Sequence, residues 1–140
     1  ATFSKGAFGS KYRGVTLDAN DSCMLSARFA NGALGVIHST RWGAGHNNSL
    51  LLRVFGDRGA LEVDLDRSWG ELRVCIGRKN LAAHAWETLR CPATPNIYQR
   101  FARSIASGRN DQPDFETGWN VQRCLDACRR SARTGRIEKV

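Results

Sequence analysis

No stretch of this sequence stays apolar for the roughly 18 residues that a membrane-spanning helix needs, and its opening, Ala1-Thr2-Phe3-Ser4-Lys5, lacks the layout of a secretory signal. A soluble, cytoplasmic chain that meets no membrane is expected. Cys-x-x-Cys is missing, and no histidine stands at zinc-finger spacing from a cysteine. The five cysteines, Cys23, Cys75, Cys91, Cys124 and Cys128, are odd in number and scattered. They read as buried reduced thiols rather than a disulfide framework or a metal site, and no metal is expected. A Gly-x-Ser-x-Gly elbow, a His-Glu-x-x-His pair and a phosphate loop are likewise missing, which removes the commonest hydrolase and nucleotidase signatures. Although the net charge is +8 and the pI about 9.9, no run of five or more basic residues occurs. The arginines are dispersed from Arg13 to Arg136, so a solvated basic surface is expected and nucleic acid is not an expected partner. The sequence begins with Ala rather than Met, which suggests a trimmed product or a piece of a longer gene.

What is present is an ordinary globular composition, 41% hydrophobic and 24% charged over 140 residues. Residues 1–140 are expected to form a single α+β domain. From Ser22 onward the pattern has period two. Cys23, Leu25, Ala27 and Phe29 fall on one face of a strand with Ser26 and Arg28 opposite. Asn31-Gly32 follows, and both residues tolerate the positive φ of a tight hairpin, so a return strand is expected from about Ala33 to Trp42. Further strands are expected over Leu50–Phe55, Ala60–Leu65 and Glu71–Ile76, with a sixth over His84–Leu89. The turn Gly56-Asp57-Arg58-Gly59 joins the first two of these. Short connections make the strands antiparallel, since parallel pairing needs long crossovers.

Near Thr94 the period changes. Thr94-Pro95 is a cap followed by proline, and Ile97, Tyr98, Phe101 and Ile105 mark one helical face that ends near Gly108. Asp114 caps a second helix in which Val121, Leu125, Cys128 and Ala132 form the expected buried stripe, with Arg123, Arg130 and Arg133 in water. Gly135 ends it, and Ile137–Val140 is read as a last short strand. The expected architecture is an open-faced, mainly antiparallel sheet of about six strands with two C-terminal helices packed on one face. Leu50, Leu52 and Val54 make one strand face as apolar as Leu51 and Phe55 make the other, so the uncovered face predicts a homo-oligomer.

Gly43-Ala44-Gly45 follows a strand, as in a dinucleotide fingerprint, but a polar stretch and another strand come next where a helix should. It is not read as a nucleotide loop. Arg41, His46, Asn47 and Asn48 place a cation, an imidazole and two amides on this connection. Two readings stay open: donors for a polyhydroxylated or carboxylated ligand, or a turn whose Gly and Asn serve the backbone alone. Glu62, Asp64 and Asp66 read as a solvated strand face rather than a carboxylate pair. His38 and His84 read as ordinary strand histidines, and Cys124 and Cys128, four apart on a helix, as core filler.

Four segments together resemble the C-terminal domain of the Gfo/Idh/MocA oxidoreductases, the glucose–fructose oxidoreductase and inositol dehydrogenase family. They are the hairpin from Asp21 to Gly35, the connection from Ser39 to Asn48, the turn Val54-Phe55-Gly56-Asp57-Arg58-Gly59-Ala60-Leu61-Glu62-Val63-Asp64, and the segment that opens with Pro113-Asp114-Phe115-Glu116-Thr117-Gly118. The last continues through Gln122 and Leu125-Asp126-Ala127 to Ser131-Ala132-Arg133-Thr134-Gly135-Arg136. Their order matches the family's and covers about Asp21 to Val140, while residues 1–20 match poorly. The family's Gly-rich cofactor motif, its Glu-Lys-Pro lysine and its Asp-x-x-x-His pair have no counterpart here.

The resemblance implies the substrate-binding and oligomerisation domain of an NAD(P)-dependent dehydrogenase that acts on a sugar, cyclitol or related polyol. NAD or NADP would be bound by the N-terminal Rossmann domain that this sequence lacks, so no cofactor-binding or catalytic residue is expected here, and the chain alone should be inactive. Arg41, His46 and Asn47 are the substrate-side residues the resemblance implies. It also implies a dimer or tetramer built through the open sheet face. The competing reading is a non-enzymatic basic module that binds an acidic partner or nucleic acid; a stand-alone enzyme lacks an evident nucleophile or base.

Overall fold

The alternation from Ser22 onward becomes antiparallel ladder, in a computed structural model that describes residues 1–5 and 11–140. The chain forms two compact units, one from Ala1–Gly43 with Phe101–Val140 and the other from Ala44–Arg100. The first contains β1 (Thr2–Ser4), β2 (Lys11–Tyr12), β3 (Val15–Thr16), β4 (Ser22–Arg28) and β5 (Leu34–Thr40). The second contains β6 (Leu51–Gly56), β7 (Gly59–Asp64), β8 (Glu71–Ile76), helix α1 (Arg78–Ala83) and β9 (Glu87–Arg90). Helix α2 (Ile97–Ser107) begins in the second stretch, and α3 (Phe115–Thr134) lies in the first unit.

The α+β class, the antiparallel pairing and the two C-terminal helices are those the sequence predicts. The strands, however, form three sheets among the described residues rather than one of six strands: β1-β4-β5, β2-β3, and β6-β7-β8-β9. Gly43 to Ser49, whose glycines and polar residues show no alternation, is irregular, and the strand pattern resumes only at β6.

In the first unit, β4 and β5 pair along their whole length from Ser22↔Thr40 to Arg28↔Leu34. The Asn31-Gly32 turn closes them. Gly32 sits at φ 87°, its N–H reaches the Phe29 carbonyl at 2.9 Å, and the Asn31 side chain accepts from the Ala33 N–H at 3.1 Å. Helix α3 lies against β1. Asp114 caps it by accepting from the Thr117 N–H at 2.9 Å, and Gly135, at φ 69°, ends it with an N–H to the Ser131 carbonyl at 2.8 Å. The expected buried stripe is not the buried one. Val121, Leu125 and Ala132 are exposed, Cys128 is half-buried, and Ala127 is the residue of α3 that is buried. Helical periodicity identifies which face is apolar, not whether another element lies against it. Ile137–Val140 is irregular rather than a strand.

The second unit is a four-stranded meander in sequence order. The Asp57-Arg58 turn fixes the register Leu51↔Asp64 through Gly56↔Gly59, and β8 and β9 add to it in turn. Paired residues share a face, so Leu52 and Val63, then Val54, Leu61 and Val74, then Leu72 and Leu89 line one side. The β6 edge of this side is open, with Leu52 53% exposed and Val54 48%, whereas Val74 at its centre is buried. The other side carries Arg53, Glu62, Arg73 and Thr88 straight across the four strands.

Here the expectation for β7 fails. Glu62 is expected to face water, yet it is 8% exposed, less than its neighbour Leu61 at 37%. The Arg53 Nε donates to Glu62 Oε2 at 2.8 Å, and Arg73 Nη1 donates to Glu62 Oε1. Arg73 in turn stacks on the Trp86 ring at 5.1 Å. Two guanidiniums cover the carboxylate more completely than anything covers Leu61.

Two further corrections concern residues 78–90. The expected strand from His84 is shorter, Glu87–Arg90, and the residues up to Ala83 form α1. His84 is therefore not a strand histidine: it ends α1 in the left-handed region at φ 52°. Asn80-Leu81-Ala82-Ala83 is short but contains good helix formers, and His tolerates that conformation better than bulky residues do. Helix α2 starts later than the Thr94 cap would put it. Asn96 caps it by a reciprocal pair with Gln99, at 2.9 and 3.1 Å.

Candidate functional site

The connection singled out by sequence is a chain of turns without helix. Gly45 needs its positive φ of 83°, and the next element is β6. Without a helix N-terminus after it, Gly43-Ala44-Gly45 does not fit a pyrophosphate, so the residues here do not suit a nicotinamide dinucleotide.

Of the three expected substrate-side residues, His46 and Asn47 lie in the second unit and Arg41 in the first. Arg41 is exposed just beyond β5, and its backbone N–H is tied to the Asp21 carbonyl at 2.8 Å. The neighbouring Trp42 N–H is held by Thr40 Oγ1 at 3.0 Å, and that hydroxyl meets Ser22 Oγ at 2.8 Å. Asn47 is exposed in the same turn as His46.

Within the second unit, His46 is not isolated. Its Nδ1 lies 2.7 Å from Asp66 Oδ2, and Ser49 Oγ donates to the same oxygen at 2.7 Å. Asp66 stands in the turn after β7, which is well tied. The Asp66 N–H reaches Asp64 Oδ1 at 3.0 Å, the Ser68 N–H reaches the Asp64 carbonyl at 3.0 Å, and the Leu65 N–H reaches the Leu50 carbonyl at 3.0 Å. The Ser49 bond first, and the His46 bond second, hold the Asp66 carboxyl below the usual carboxylate range. The His46 and Asp66 side chains are 58% and 40% exposed, so the constellation is open to solvent and to a solute. The serine bonds the aspartate and not the histidine, so this is no nucleophile–base pair. What it offers is an oriented imidazole, a hydroxyl and, nearby in sequence, amides.

The sequence reading sets Asp66 aside as part of a solvated face and passes over Ser49, although the signal that joins them was present. A two-residue turn at Asp57-Arg58 sets the register Leu51↔Asp64, and continuing that register outward by two residues puts Ser49 opposite Asp66. The carboxylates taken together as one solvated face have distinct roles: Glu62 is clamped by two arginines, and Asp66 gathers His46 and Ser49. All five cysteines are free thiols, but only Cys75 is buried; Cys91 and Cys124 are exposed and Cys23 and Cys128 half-buried. Cys124 is therefore not core filler. Among the described residues no group of three His, Cys, Asp or Glu side chains could hold a metal ion, and no helix is long and apolar enough to cross a membrane.

Residues 4–140 match the sequence profile of a family described as "Oxidoreductase family, C-terminal alpha/beta domain". The levoglucosan dehydrogenase of Pseudarthrobacter phenanthrenivorans is similar, with 28% identity over 137 residues, covering 83% of this chain and 35% of that protein. The chain thus spans about a third of the length of this curated relative. No solved structure matches it.

Proposed function

This chain belongs to the Gfo/Idh/MocA oxidoreductase family as its C-terminal α/β domain, and from that premise we propose that it is the substrate-binding and oligomerisation part of an NAD(P)-dependent dehydrogenase acting on a sugar, cyclitol or related polyol. The observation that carries the substrate side is the His46–Asp66–Ser49 constellation, with both partners 2.7 Å from one carboxylate oxygen. Groups of this kind hydrogen-bond hydroxyls and hold a polyol in one orientation. Asn47, beside His46 in the same unit, is proposed to add a contact. The relative's name, levoglucosan dehydrogenase, agrees with a dehydrogenase reading. The oligomer is proposed to form through the aliphatic side of the β6–β9 sheet, where Leu52 and Val54 are about half exposed.

From the family membership the dinucleotide is assigned to residues outside this chain, in keeping with a Gly43–Gly45 segment that leads into a strand, and the chain alone is expected to be inactive. Two measurements test the reading. Calorimetry of the chain against NADH and NADPH should show no binding; micromolar affinity would overturn the assignment. In the complete oxidoreductase, a panel of sugars and cyclitols with NAD and NADP should yield turnover. His46→Ala and Asn47→Ala should each raise KM about tenfold, the loss of about one good hydrogen bond. Unchanged KM in both variants would remove this segment from the site.

A further inference from the structure

We infer that Asp66 is a positioning residue that fixes His46 in the Nδ1–H tautomer, so that Nε2 and the Ser49 oxygen face a ligand as hydrogen-bond acceptors and the site selects free hydroxyl groups over carbonyl or ether oxygens. The inference rests on the proposed reading of this segment as substrate-facing, and deepens it by naming the chemistry the segment recognises.

It follows from proton accounting. An ionised carboxylate only accepts hydrogen bonds. The 2.7 Å contact between His46 Nδ1 and Asp66 Oδ2 therefore requires the proton on Nδ1, and in the neutral ring this leaves the lone pair on Nε2, at the other edge of the imidazole. Ser49 spends its one proton on the same oxygen, which leaves its Oγ lone pairs as its remaining capacity. Asp66 can impose this because its turn is well tied: Asp64 accepts its N–H, and the Leu65 N–H is tied back to Leu50, just before β6. Hydrogen bonds from two neighbours also keep the carboxyl ionised through the neutral range. A substrate hydroxyl can donate to Nε2, whereas a carbonyl or a methoxy oxygen in its place would meet lone pair against lone pair. In a site this open to solvent the penalty for an analogue without the donor is about that of one lost hydrogen bond.

The test is nitrogen NMR of the chain labelled with 15N-histidine, which separates the two tautomers for its three histidines. With His46 neutral, the expected signature is Nδ1–H, and Asp66→Ala should move it to the mixture dominated by Nε2–H that an unrestrained ring adopts. The His38 and His84 signals, unchanged, report that the variant has folded; if it has not, the tautomer of the native chain decides alone. A native Nε2–H tautomer, or no change in a folded Asp66→Ala chain, overturns the inference whatever the segment binds. In the complete oxidoreductase, Asp66→Ala and His46→Ala should each raise KM about tenfold with kcat within about twofold, and the double variant should lose no more than either. Replacing the recognised substrate hydroxyl by methoxy should cost the native enzyme the same factor and the His46→Ala enzyme nothing. If the tautomer is as expected but neither variant nor methoxy substitution alters KM, the substrate-facing reading fails, and the selectivity inferred from it fails too, while Asp66's hold on the ring stands.

Discussion

Arg53 and Glu62 face each other directly across the β6–β7 ladder, and the Arg53 Nε donates to Glu62 Oε2 at 2.8 Å. Arg73, on the strand at the other side, completes the clamp. The Arg53 hydrogen bond first, and the Arg73 bond second, hold the Glu62 carboxyl below its ordinary value of 4.5. A carboxylate whose folded pKa is depressed contributes stability that is fully present above the unfolded value and is lost as pH falls through the folded one. Glu62→Gln should therefore melt below the native protein at neutral pH, and the gap should close as the pH is lowered through the acid side of 4.5. Melting temperature against pH for the two proteins checks this; a constant gap down to the most acid point would contradict it.

Gly59 is constrained by space rather than by conformation. A Cβ built there would lie 2.7 Å from the Cys75 carbonyl oxygen and 2.9 Å from Ile76 Cγ1. Because Gly59 pairs with Ile76 in the β7–β8 ladder, neither neighbour can withdraw without breaking register. Gly59→Ala should cost about 1–3 kcal/mol, as overpacking usually does. Urea unfolding measures it, with an unchanged slope expected.

Helix α3 depends on Asp114 at its start. The carboxylate accepts both the backbone N–H and the hydroxyl of Thr117, each at 2.9 Å, and the backbone bond chiefly lowers its pKa. Asp114→Ala should reduce helicity by circular dichroism and lower the melting temperature, by less than Gly59→Ala does. Asp114→Asn, which keeps an accepting oxygen, should restore most of the loss.

The aliphatic side of the β6–β9 sheet makes the proposed assembly testable. Leu52 and Val54 are about half exposed there. Lysine at either position should lower the mass measured by light scattering while leaving the far-ultraviolet spectrum unchanged. A native protein that runs as a monomer at micromolar concentration would dispose of the proposed interface.

Much of this architecture is legible in the residues. Glu71–Ile76 forms the strand its alternation predicts, Gly32 takes the positive φ of the hairpin turn while Asn31 serves it through its side chain instead, and Asp114 and Gly135 bound the last helix as their capping chemistry predicts. Three things escaped. Alternation in β7 gives two faces but does not say which is covered, and arginines from both adjacent strands reversed the assignment at Glu62. The helical stripe Val121–Leu125 states an apolar preference, yet both residues are exposed. His46 stood out as a single residue, whereas its partner Asp66 lies 20 positions away and emerges only when the hairpin register is carried past the end of the ladder.

The layout also bears on how the chain is made. The stretch from Ala44 to Arg100 is contiguous, and its four strands join in the order of synthesis, so every contact it needs is available once Arg100 has left the ribosome. The other unit draws on both Ala1–Gly43 and Phe101–Val140 and must wait for its second half. If the middle folds first, the stretch of flexible chain that the other unit must close is shorter. A nascent chain stalled shortly after Arg100 should then already protect the amides of the middle stretch, with those of residues 1–43 still exchanging.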